Sequence, residues 1–238
     1  MLRSIFGEPR RQDEGYLKEA NEAIRSFIHK LTLIPPEKRT MAERRFVILS
    51  EGFLRALDEL EQSEYAAQQY GKRVMKLYLD EMTLEEKDAY HLHLYFYKNA
   101  LIRLFALLDK LGNFINEHWG LQTERIKARF SYFTVLRNMH QNKKYTDLEQ
   151  KLFDLKVQYK TPVERLRNRR NLEIHSINAD LYDDLMKVAE LKYGQRARLQ
   201  IEDIRENLRD LEQGIDMTFR AAAIVFRYAA SHASNRKG

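Results

Sequence analysis

What this chain can fold into is constrained first by its prolines, which fall only at Pro9, Pro35, Pro36 and Pro162. Proline ends or kinks a helix, because it lacks the amide hydrogen and its ring collides with the carbonyl four residues back. The long proline-free spans are rich in Leu, Ala, Glu, Lys, Arg and Gln, which are strong helix formers. Apolar residues recur along them at helical spacing. The fold class predicted is all-α, an up-and-down helical bundle.

Helix starts follow from capping boxes, in which a threonine hydroxyl and a glutamate three residues later satisfy free amides. Thr40 with Glu43, Thr83 with Glu86, Thr146 with Glu149 and Thr161 with Glu164 all have this form. They predict helices over about 13–34, 41 toward 80 with a break near Gly71, 84–118, 122–141, 147–159 and 162–177. Two more are expected over about 181–193 and 200–232. The segment 90–121, YHLHLYFYKNALIRLFALLDKLGNFINEHWGL, is apolar or aromatic around most of its circumference. It reads as a central core helix rather than a base-stacking platform. The expected division is an N-terminal helical extension over 1–82, with no assignable motif, and a bundle over 83–238.

With 238 residues, 44% of them hydrophobic, the chain can bury a substantial core. It has no cysteine, which excludes disulfides, thiolate zinc sites and cysteine nucleophiles together. No apolar run is long enough to span a bilayer, and MLRSIFGEPRR lacks the apolar core of a signal peptide. A soluble, cytoplasmic protein with no membrane partner is expected. The net charge of +6 comes from 41 basic residues against 35 acidic ones, a weak bias toward an anionic partner. Paired Glu-x-x-His motifs, the zinc-protease pair of histidines and a glycine-rich phosphate loop are all missing from the sequence. The reading therefore assigns no metal and no cofactor.

The densest chemistry lies in RLRNRRNLEIHS, residues 165–176. At about 100° per residue, Arg170 falls in the middle of an apolar stripe of Val163, Leu166, Ile174 and Ile177. Arg167, Asn171, His175 and Asn178 form a polar strip beside it, and Asn168 and Arg169 are expected to face solvent. An arginine cannot shed its proton in a protein, so Arg170 must meet an anion or reach water. That anion is either a carboxylate of a neighbouring helix or a bound phosphate, and the sequence leaves both open.

The run RNLEIH, with Arg170, Asn171 and His175, resembles the signature of the HEPN superfamily: an arginine, an adjacent polar residue that is often Asn, and a downstream histidine. The upstream LDKLGNFINEHWGL is similar to the preceding core helix of one branch, and the resemblance covers about residues 84–233. Arg227 and His232 have the same spacing without the asparagine. The resemblance implies a metal-independent endoribonuclease of the kind found in toxin–antitoxin, phage-defence or RNA-processing systems. It makes Arg170 and His175 the catalytic pair and gives Asn171, Arg167 and Asn178 a role in binding or positioning substrate. The partners implied are RNA or a nucleotide, a second copy of the chain and an antitoxin protein. A dimer answers a geometric difficulty, since Arg170 and His175 point about 140° apart on one ideal helix. The competing readings are a nucleotide-binding module without turnover and a helical interaction protein in which Arg170 pairs with a carboxylate.

Overall fold

The computed structural model describes residues 2–175 and 200–232, the side chains of Ile174 and His175 excepted. Seven α-helices lie among the described residues. They are α1 (Gly15–Thr32), α2 (Met41–Gly71), α3 (Leu84–His118), α4 (Tyr132–Gln141), α5 (Thr146–Gln158), α6 (Lys160–His175) and α7 (Ile204–His232). The only extended pairing among them is an isolated bridge between Tyr78 and Gln200. The fold is all-α, as the proline spacing predicts. The helix expected over 181–193 lies outside the described residues.

The capping boxes differ in how far they form. At Thr40 the box is complete: the Glu43 amide donates to Thr40 Oγ1 at 3.2 Å, and Glu43 Oε2 accepts from the Thr40 amide at 2.7 Å. At Thr83 it is half made. The Glu86 amide donates to Thr83 Oγ1, while the Glu86 carboxylate accepts the amides of Met75 and Lys76, both at 2.6 Å, and so ties down the loop after α2. Helix α5 starts at Thr146 itself, after Tyr145 in the left-handed region at φ 51°. Glu149 meets His140 Nδ1 at 3.1 Å. Helix α6 starts at Lys160, two residues after α5 ends at Gln158, so Thr161 is not its cap. Pro162 has no amide for the Gln158 carbonyl, which is why the chain breaks step at Tyr159. The helix expected from 122 begins ten residues later, at Tyr132. Gln122 is left-handed at φ 55°, and Ser131 and Thr134 cap α4 reciprocally.

The described chain divides into two compact units. One comprises the described residues of 11–60, 103–160 and 214–238. Its core is aromatic: Phe114 of α3 meets Phe27 of α1, Phe46 and Phe53 of α2 and Phe226 of α7, with ring centroids 4.7–6.1 Å apart. Leu104, Leu107, Leu108, Leu111 and Ile115 are buried along the same stretch of α3, as the apolar circumference predicts. Gly112 sits where a Cβ would lie 2.7 Å from Tyr132 Cα, so glycine lets α4 approach α3 closely.

The other unit comprises the described residues of 1–10, 61–102 and 161–213 and holds the described part of the motif. Here Leu79, Met82, Tyr90 and Ile201 form a buried cluster, with Val74, Leu94 and Ile204 packed on it. The Ile201 amide donates to the Leu77 carbonyl at 2.9 Å, which fixes the chain entering α7 against the loop after α2. His93 is buried, and its Nδ1 donates to the Ala67 carbonyl at 2.8 Å. Burial lowers its pKa, although the carbonyl contact opposes this, which favours the neutral imidazole. His91 is exposed.

Candidate functional site around helix α6

The sequence of α6, KTPVERLRNRRNLEIH, has few apolar residues, yet one side of it is buried. Val163 and Leu166 are buried, and Pro162 lies on the same side. Arg170 falls within this arc. It is half-buried, and its Nε atom is fully shielded from solvent. The placement of Arg170 among apolar neighbours, read from spacing alone, therefore holds for the described residues. Arg167 is half-buried, and Asn171 is exposed on the next face round.

A row of charges at i, i+4 spacing runs along the neighbouring face. Arg165 Nε donates to Asp210 Oδ2 at 2.6 Å, and a second nitrogen reaches Oδ1, giving a bidentate pair with a carboxylate that has no exposed surface. One turn on, Arg169 donates to Glu202 Oε2 at 3.0 Å, and Asn207 Nδ2 donates to the same oxygen at 2.7 Å. A further turn brings Glu173 to Lys98 Nζ of α3 at 3.2 Å. Arg169 was expected to face solvent, and this is corrected: its ion pair holds α6 against the start of α7. Asn168 is exposed, as expected.

Tyr97 of α3 lies beside this row. Its hydroxyl is buried, and burial pushes its pKa up to about 12 against the lowering effect of the Arg169 guanidinium. Tyr97, Lys98, Glu202, Asn207 and Asp210 thus set the position of α6, and the motif alone reveals none of them. The signal for them is the acidic run IEDIRENLRDLE at 201–212, opposite in charge to RLRNRR at 165–170.

His175 is the last residue of α6 by its backbone; its side chain, and the whole of Asn178 and Ile177, lie outside the described residues. The structure thus brings Arg167, Arg170 and Asn171 onto one turn of α6. The second pair with the same spacing has other partners: Arg227 binds Glu19 at 2.8 Å, and His232 Nδ1 lies 2.9 Å from the Tyr228 carbonyl. Among the described residues, no three histidine or carboxylate groups are placed to hold a metal ion. None of the described helices is long and apolar enough to cross a membrane.

The arrangement presents a guanidinium set in an apolar arc and an exposed amide beside it, on a helix fixed by three ion pairs. A sequence model of the Cthe2314-like HEPN family matches residues 49–230, which takes in most of α2 and everything through α7 as far as Ala230. No curated protein and no solved structure matches the chain.

Proposed function

Because the chain belongs to the HEPN superfamily, we propose that it is a metal-independent endoribonuclease whose active residues are Arg170 and His175. The observation that carries this reading is the position of Arg170, a half-buried guanidinium within the apolar arc of α6, with Asn171 exposed next to it. In the proposed reaction a ribose 2′-oxygen attacks its own 3′-phosphate. The new P–O bond forms as the bond to the 5′-oxygen breaks, giving a 2′,3′-cyclic phosphate and a free 5′-OH. The 2′-hydroxyl gives up a proton and the departing 5′-oxygen takes one, with His175 as the transfer group. Arg170 stabilises the charge that builds on the phosphorane. Asn171, Arg167 and Asn178 hold the substrate.

The divergence of Arg170 and His175 on one helix supports a homodimeric active form, in which two copies of α6 line one cleft. The proposed setting is a cytoplasmic toxin or phage-defence system, with an antitoxin protein as a further partner. Cleavage of total RNA in excess EDTA, with analysis of the product ends, tests the chemistry. Persistence of cleavage and 2′,3′-cyclic phosphate ends are expected. Cleavage abolished by chelation and restored by magnesium would contradict it.

A second reading, a nucleotide-binding or interaction module without turnover, is favoured by the ion pairs of Arg165 and Arg169. They give the basic run a structural purpose. Nucleotide binding without RNA cleavage by the same preparation would select that reading.

A further inference from the structure

Gly52 lies in the interior of α2, where glycine weakens a helix relative to alanine. Packing gives no reason for it, since a Cβ there would meet only the end of the Arg55 side chain, at 4.0 Å. Gly112 and Gly71 differ, as a Cβ at either would press on a neighbour at 3.0 Å or less. The space above Gly52 belongs to a groove of about 800 Å³ between α2, the C-terminal part of α3 and the loop after it. That volume is in the range of sites for small organic ligands, about 300–1,000 Å³.

The groove is built asymmetrically. Leu49, Phe53 and Phe114 supply apolar surface, and Phe53 and Phe114 are otherwise buried in the aromatic core. Two carboxylates at the edge are engaged: Glu117 by Arg45 at 3.2 Å and Glu124 by the Asn116 amide at 3.0 Å. Arg55, Lys110 and Asn113 line the same groove and are exposed, and among the described residues they have no ion-pair or hydrogen-bond partner. Two cations and one amide thus stand unused over an apolar floor that opens at a glycine.

We infer that this groove binds a small amphipathic anion, a flat apolar body lying over Gly52 with its acidic group held by Arg55 and Lys110. The unit that contains it does not hold RNLEIH, so the inference stands apart from the ribonuclease reading. The chemistry has two sources, a mononucleotide or an aryl carboxylate.

Fluorescence titration of the full chain with 1-anilinonaphthalene-8-sulfonate tests the inference, with AMP and 2-naphthoate as competitors and no RNA present. Saturable binding of one dye per chain is expected, displaced by AMP if the natural ligand is a nucleotide and by 2-naphthoate if it is an aryl acid. Gly52→Leu fills the groove, and the double change Arg55→Glu and Lys110→Glu reverses its charge. Each should weaken dye binding about tenfold or more, a change of about 1.4 kcal/mol, with the helical circular dichroism retained. Absence of saturable binding, failure of both competitors, or undiminished binding by both folded variants would overturn the inference.

Discussion

One chemical change, glycine to alanine, should have opposite effects at two helix-interior positions of this protein. At Gly112 the added Cβ would lie 2.7 Å from Tyr132 Cα and 3.0 Å from Tyr132 N. Favourable contacts between carbons lie at about 3.5–4.0 Å, so the methyl group is about 1 Å too close. The obstructing atoms belong to the backbone at the first turn of α4, which cannot rotate aside as a side chain would. Overpacking of this kind costs about 1–3 kcal/mol, and contact with backbone puts Gly112→Ala in the upper half of that range. The better helix propensity of alanine offsets about 1 kcal/mol, leaving a net loss of about 1–2 kcal/mol. At about 2–4 °C per kcal/mol for a chain of this size, the melting temperature should fall by about 2–8 °C. At Gly52 nothing opposes the methyl group. The propensity gain stands alone, and Gly52→Ala should raise the melting temperature by about 2–4 °C. Thermal melts followed by circular dichroism, with urea titrations at one temperature, measure both. Shifts of the same sign would refute the reasoning, as would a neutral Gly112→Ala.

Two further outcomes follow from His93 and from the motif helix. Burial holds the His93 pKa below its ordinary 6.5, so the unfolded chain takes up the proton first as pH falls. Its contribution to stability is present above about 6.5 and is lost below that value until the folded-state pKa is reached. The melting temperature should therefore drop between about pH 7 and pH 5, and less steeply in His93→Asn, whose amide can still donate to the Ala67 carbonyl; equal slopes would remove His93 as the cause. The active form should be a homodimer, so light scattering at micromolar concentration should give twice the chain mass, and a strictly monomeric mass would remove the composite cleft.

The fold class was legible because proline placement and helical spacing are local properties. Thr40 and Glu43 could be read as a helix start because both partners belong to one turn. Thr83 and Thr146 likewise mark helix starts, with α3 from Leu84 and α5 from Thr146, but there another group competes for the glutamate that would close the box. Glu149 turns to His140, and Glu86 turns to the amides of the loop at 75–76. Helix α6 starts at Lys160, ahead of the Thr161 cap that the sequence suggests. The late start of α4 was hidden because its cap uses Ser131 and Thr134 rather than a serine or threonine with an acid. Around the motif, the wheel puts Arg170 on the side of α6 where Val163 and Leu166, about two turns and one turn earlier, are buried. It misplaced Arg169, whose partner Glu202 is 33 residues away. A wheel records which way a side chain points but not which carboxylate waits there.

The central claim is that RNLEIH is the active site, and RNA cleavage by matched variants tests it most directly. Wild type, Arg170→Ala, His175→Ala, Arg227→Ala and His232→Ala are compared on one RNA, each first checked for folding and mass because Arg170 Nε is buried. Loss of a transition-state contact worth about 3–4 kcal/mol slows cleavage by about a hundredfold or more. That loss is predicted for Arg170→Ala and His175→Ala, while the Arg227 and His232 variants keep near wild-type rates. If Arg170→Ala and His175→Ala stay folded and dimeric yet cleave RNA as fast as wild type, the claim is contradicted.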